Sequence, residues 1–146
     1  MASRRRARRS ALQILYELDS TSHDPDEVLS RLVYEESIDD DTYAFISELV
    51  KGVIAHVHNI DSVLAKHAPA FPVNQMATID RNILRIALYE LMYTDDTPVK
   101  VCISEAVELA KYFAADPTRK LVNGVLGAVA SKEIDSTDET TESSDS

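Results

Sequence analysis

The sequence predicts an all-α protein, and three observations carry the prediction. Apolar residues recur at three- and four-residue spacing along most of the chain. Only three glycines occur in 146 residues, too few for a turn-rich β-sandwich or barrel. Proline follows aspartate or threonine where runs of helical spacing begin, the usual signature of a cap and first turn. With 45% hydrophobic and 27% charged residues, the expectation is one globular domain over residues 1–132, with about seven helices.

From Arg4 onward, Ala7, Ala11, Leu12, Ile14, Leu15 and Leu18 fall on one side of a 3.6-residue period, with Ser3 as candidate N-cap. "DPDEVLSRLVYEE" opens a second helix with Asp24 as cap and Pro25 in the first turn, turning Val28, Leu29, Leu32 and Val33 inward. "DDDTYAFISELVKGVIAHVHNIDSVLAKHA" keeps the pattern up to Pro69, as one long helix or two in register, and Gly52 within it marks close helix packing. Pro69 and Pro72 bracket a linker or short helical turn that divides the chain into sub-bundles of about 3–68 and 72–132. "TIDRNILRIALYELMY", with Thr78 as cap and Asp80 in its first turn, is apolar around much of its circumference and should form the core of the second half. "TPVKVCISEAVELAKYFAA" and "DPTRKLVNGVLGAVASK" repeat the cap-then-proline start at Thr97 and Asp116, and Asn123-Gly124 stays inside the last helix.

Charge is segregated. The formal net charge is -10, yet residues 1–9 hold five arginines; residues 10–132 hold ten bases against nineteen acids; residues 133–146 hold six acids and no base. The last segment, "EIDSTDETTESSDS", is too polar to offset its ordering entropy and is expected to be a disordered acidic tail. Cys102 is the only cysteine, which excludes an intrachain disulfide and fits a reducing cytoplasm. No signal-like segment and no run of eighteen apolar residues occurs, so the expectation is neither secreted nor membrane-spanning.

Catalytic patterns are lacking. His23, His56, His58 and His67 form no HExxH motif, and His56 and His58, two apart, point to different faces of a helix and cannot readily share a metal. Cys102 sits in an apolar helical stretch and reads as a buried, inert thiol. No phosphate-cradling glycine loop is present, and Glu105 and Glu108 read as solvated or paired with a base such as Lys111. Neither a catalytic residue nor a cofactor or metal is expected.

The arginines point elsewhere. Helix dipoles disfavour cations in a first turn, so helix stability does not explain Arg4, Arg5, Arg6, Arg8 and Arg9. Guanidinium groups bind phosphate bidentately and stack on bases, which makes nucleic acid the leading partner class. Arg4, Arg5, Arg8 and Arg9 recur at helical spacing as a stripe that Gln13 and Tyr16 extend. Gln13 can bond base edges; Tyr16 either stacks on an unpaired base or packs half-buried against the core. Arg119, Lys120 and Asn123 form a second small basic spot. An acidic body with one basic patch directs RNA to a defined orientation.

Five blocks in order, "RRRARRSALQILYELD", "ELVKGVIAHVHNID", "IDRNILRIALYELMY", "VCISEAVELAKYF" and "LVNGVLG", resemble the NusB family of bacterial transcription antitermination factors over about residues 3–130. The resemblance implies two packed three-helix sub-bundles and a binding role without catalysis. It implies pairing with NusE, a small-subunit ribosomal protein, recognition of boxA RNA in nascent ribosomal RNA, and action on elongating RNA polymerase with other Nus factors. A homodimer that buries the RNA surface is also implied as an alternative state. Arg4, Arg5, Arg6 and Arg8 match the family's arginine-rich RNA motif, with Gln13 and Tyr16 beside it. Lys120 and Asn123 match positions near the RNA path, and Asp80, with Tyr16, matches the side facing NusE. Arg9 adds charge where some relatives carry an acid, and Pro117 replaces a polar residue. Two other readings are a helical domain assisting a ribosomal RNA methyltransferase, whose glycine-rich cofactor loop has no counterpart here, and an interaction scaffold whose arm binds an acidic protein or its own tail.

Overall fold

The computed structural model describes residues 4–70 and 72–134. The expectations for Ser3 as a cap and for the acidic tail beyond residue 134 lie outside the described residues. Within them the chain forms six α-helices and no strand: α1 Arg4–Ser20, α2 Pro25–Glu36, α3 Asp40–His67, α4 Thr78–Tyr93, α5 Val99–Phe113 and α6 Asp116–Val129. A single 3-10 turn, Val73–Gln75, occupies the linker, and Ala130–Ile134 widens into a π turn after α6. α3 comprises two helical segments that meet at a kink at His56 (φ -114°, ψ 15°), so the count is six with α3 taken whole and seven with its segments taken apart.

Local capping chemistry sets several ends. Asp24 accepts from the Glu27 N–H at 3.2 Å as expected, and Asp39 caps α3 through the Thr42 N–H at 2.8 Å. Asp40 and Asp41 in the first turn of α3 and Lys66 and His67 in the last suit the helix dipole. Three expected caps shift by one residue. Thr78 and Asp116 are the first residues of their helices, after Ala77 and Ala115, and Pro98 rather than Thr97 stands at the N-cap of α5. Other partners have claimed two of these side chains: the Thr97 hydroxyl donates to Glu90 on α4, and Asp116 pairs with Arg119 within its own first turn.

The core is one connected cluster, and α4 is its axis, packed against α1, α3, α5 and α6. Ile83, Leu84, Ile86, Ala87, Leu88 and Leu91 are buried on α4, as its sequence predicted. Gly52 brings α3 against α4 so closely that a Cβ there would lie 2.2 Å from Tyr89 Cε1, confirming it as a packing glycine. Asp19 at the end of α1 accepts from Arg81 (2.6 Å) and Asn82 (2.9 Å) on α4. Arg85 donates twice to Asp61 of α3, at 2.9 and 2.8 Å. The Asp19 ties hold the end of α1 against α4, and the Arg85–Asp61 pair holds α3 against it.

Candidate nucleic-acid interface

Helical spacing divides α1 into two rows with different fates. Arg8, Leu12 and Leu15 face the core, whereas Arg5, Arg9, Gln13 and Tyr16 follow one another at intervals of four, four and three along the solvent side. The expected stripe of Arg4, Arg5, Arg8 and Arg9 therefore splits, and Arg8 leaves the surface, being only 4% exposed. At 1.5 Å per residue the outer row spans about 16 Å.

Arg8 is buried because α4 offers it a matching acid. Its Nε and Nη2 donate to the two carboxylate oxygens of Glu90, both at 2.8 Å, and Glu90 also accepts from the Thr97 hydroxyl at 3.3 Å. Burial opposes the charge on Arg8, but the hydrogen bonds and negative charge of Glu90 outweigh it and raise the guanidinium above its ordinary pKa. Among the described residues no buried side-chain nitrogen or oxygen lacks a partner. Glu90 was absent from the sequence-based candidates, yet a signal existed. It lies four residues after Ile86 on the apolar face of the helix, where an acid requires a buried cation.

The outer arginines are each held differently. Arg5, its side chain half exposed, donates through Nε and Nη2 to Glu105 on α5 at 3.0 Å each. Those hydrogen bonds raise the Arg5 pKa and depress that of Glu105, so both stay charged. The Arg4 guanidinium lies 4.6 Å from the centre of the Phe45 ring, and Arg9 lies 3.8 Å from that of Tyr112. Arg6 is exposed and lines a small cavity of about 130 Å³ with Ser37, Asp39 and Thr42. Beside Arg4 and Arg5 an open groove of about 530 Å³ runs to Asp96, Thr97 and Val101. Glu108, by contrast, pairs with Lys111 at 3.3 Å, as expected.

Tyr16 is 47% exposed, so it belongs to the solvent row rather than to the core. The second basic spot lies toward the same end of α1. Thr118 at the start of α6 donates to Asp80 at 3.0 Å, one or two residues from the Arg81 and Asn82 that hold Asp19. Lys120 and Asn123 are exposed, while Arg119 is half-buried and paired with Asp116. Asp80, the expected partner-facing acid, is half-buried with one oxygen engaged by Thr118.

Among the described residues no group of three or more His, Cys, Asp or Glu side chains could hold a metal ion. His56 stacks on Tyr93 with ring centres 3.8 Å apart. Cys102 is buried, and desolvation pushes its thiol up to about 11, so the nucleophilic thiolate is suppressed. Among the described residues no helix is long and apolar enough to cross a membrane.

Comparison with known proteins bears on the chain as a whole. The sequence profile of the NusB family matches residues 5–131. The transcription antitermination protein NusB of Roseiflexus sp. (strain RS-1) is 47% identical over 135 residues, covering 90% of this chain and 95% of that protein. T. maritima NusB superposes with a TM-score of 0.83 at 28% identity, over 90% of this chain and 92% of its own. A crystal structure of antitermination factors NusB and NusE in complex with dsRNA contains a chain of TM-score 0.78 and 31% identity, covering 86% of this chain and 94% of that one.

Proposed function

The chain belongs to the NusB family, and from that premise we propose that it is an RNA-binding transcription antitermination factor that acts with NusE. Its target in this reading is boxA RNA in nascent ribosomal RNA, and it joins elongating RNA polymerase in the cytoplasm together with other Nus factors. It is a binding protein with no catalytic step of its own.

The observation that carries the reading is the outer row of α1, in which Arg5, Gln13 and Tyr16 stand exposed and Arg9 half-buried on a helix whose other side is locked into the core. Arg4, Arg5, Arg6 and Arg9 grip backbone phosphates, Gln13 bonds a base edge, and Tyr16 stacks on an unpaired base. Lys120 and Asn123, with Arg119, continue the path across the start of α6. Asp80 and the far side of Tyr16 face NusE. Arg8 serves this surface from beneath, by fixing the helix that presents it. The acidic remainder of residues 10–132 repels RNA elsewhere and leaves the row as the favourable approach. A homodimer that covers the row is the RNA-free alternative.

The test is a titration with a short single-stranded boxA RNA, with and without NusE, across salt. Affinity should fall as salt rises, by roughly 0.7 log units per log unit of salt for each phosphate engaged, and should tighten when NusE is added. Arg5→Ala combined with Arg9→Ala should weaken binding and flatten the salt dependence. Unchanged binding in that variant overturns the assignment of the row.

A further inference from the structure

We propose that Tyr112, on the last turn of α5, is a nucleobase-stacking residue that carries the RNA surface from α1 onto α5. The inference rests on the RNA-binding reading above and adds a residue to it. Tyr112 is 60% exposed, and the core has no use for it. The inward face of α5 is made by Cys102, Ala106, Leu109 and Ala110, and the neighbouring Phe113 supplies the aromatic that packs on the core at this end. Phe113 meets Tyr112 edge to face at 4.8 Å, which steadies the ring without covering it.

What covers the ring is Arg9, whose guanidinium sits 3.8 Å from its centre. Arg9 also stands in the outer row of α1, between Arg5 and Gln13. A cation resting on an exposed ring is held weakly, whereas a base stacked on such a ring is held more strongly. RNA therefore has a simple exchange available. A phosphate draws the Arg9 guanidinium off the ring, and the adjoining unpaired base takes the face that Arg9 leaves. The ligand class is an unpaired base in single-stranded RNA, because the ring lies beside the phosphate-binding arginines of α1. With Tyr16 farther along the row, the surface then offers two stacking positions on either side of Gln13.

The protein contains no tryptophan, so Tyr112→Trp places a single fluorescent reporter at the site. Single-stranded boxA RNA should quench that fluorescence, and inorganic polyphosphate, which has charge but no bases, should not. Tyr112→Ala should weaken RNA binding about tenfold, within the range for loss of one stacked base, with the salt slope unchanged because no phosphate contact is removed. Tyr112→Phe should bind like the parent, since it keeps the ring. Each variant should retain the parent's thermal midpoint, because the side chain lies outside the core. Equal quenching by polyphosphate, or wild-type affinity in Tyr112→Ala while Arg5→Ala still weakens binding, overturns the stacking role alone. Wild-type affinity in both variants overturns the RNA-binding reading together with it.

Discussion

Arg8 on α1 and Glu90 on α4, 82 residues apart in sequence, close a buried ion pair with two parallel hydrogen bonds of 2.8 Å. Both side chains are about 95% shielded from solvent. Removing one partner leaves the other charge buried without compensation, which costs about 3–5 kcal/mol. Arg8→Ala should therefore lower stability by that order in urea unfolding. Replacing both partners with apolar groups of similar size, Arg8→Met with Glu90→Leu, should recover most of the loss. Full stability in Arg8→Ala alone would show that the pair does not hold α1 in place.

Asp19 supplies a pH dependence. Burial pushes its carboxyl up, but the hydrogen bonds of Arg81 and Asn82 and the charges of Arg81 and Arg85 outweigh this and hold it below the ordinary carboxylate pKa. A carboxyl depressed in the folded state contributes stability above its unfolded pKa, and that contribution disappears as pH falls through the folded value. Asp19→Asn should be less stable than the parent near pH 7, with the gap narrowing by about pH 3. Urea unfolding at the two pH values measures the gap, and a constant difference would exclude the ionic contribution.

Gly52 sets the separation of α3 and α4. A Cβ at this position meets the Tyr89 ring at 2.2 Å, so Gly52→Ala must displace a large, largely buried side chain. The expected cost is about 1–3 kcal/mol, the usual range for overpacking, despite the better helix propensity of alanine. Combining it with Tyr89→Leu should cost less than the sum of the two changes. Additive losses in thermal unfolding would place the strain elsewhere.

What was legible in the sequence follows from the range of the interaction concerned. Asp24 and Pro25 begin a helix through contacts within one turn, and the apolar rows of α1 and α4 are periodic, so those elements could be read directly. Gly52 was legible as a packing position because an isolated glycine in a long apolar helix has few other uses. Thr97 and Asp116 followed the local rule only to within a residue, since Glu90 on another helix claims the Thr97 hydroxyl and a competing local pair with Arg119 claims Asp116. The division of the arginines was not legible. Spacing alone put Arg8 with Arg4, Arg5 and Arg9, and only the approach of Glu90 from α4 shows which arginine the core takes. Tyr112 escaped for the same reason, because its position beside Arg9 depends on how α5 lies along α1.

The distance along the chain between Arg8 and Glu90 also orders events in time. A ribosome adds roughly 5–20 residues per second, so the acid emerges on the order of ten seconds after the arginine it neutralises. During that interval Arg8 lacks its acid, and so does Arg5, whose partner Glu105 is made later still. Synthesis of α4 is thus the earliest step at which the buried side of α1 can close.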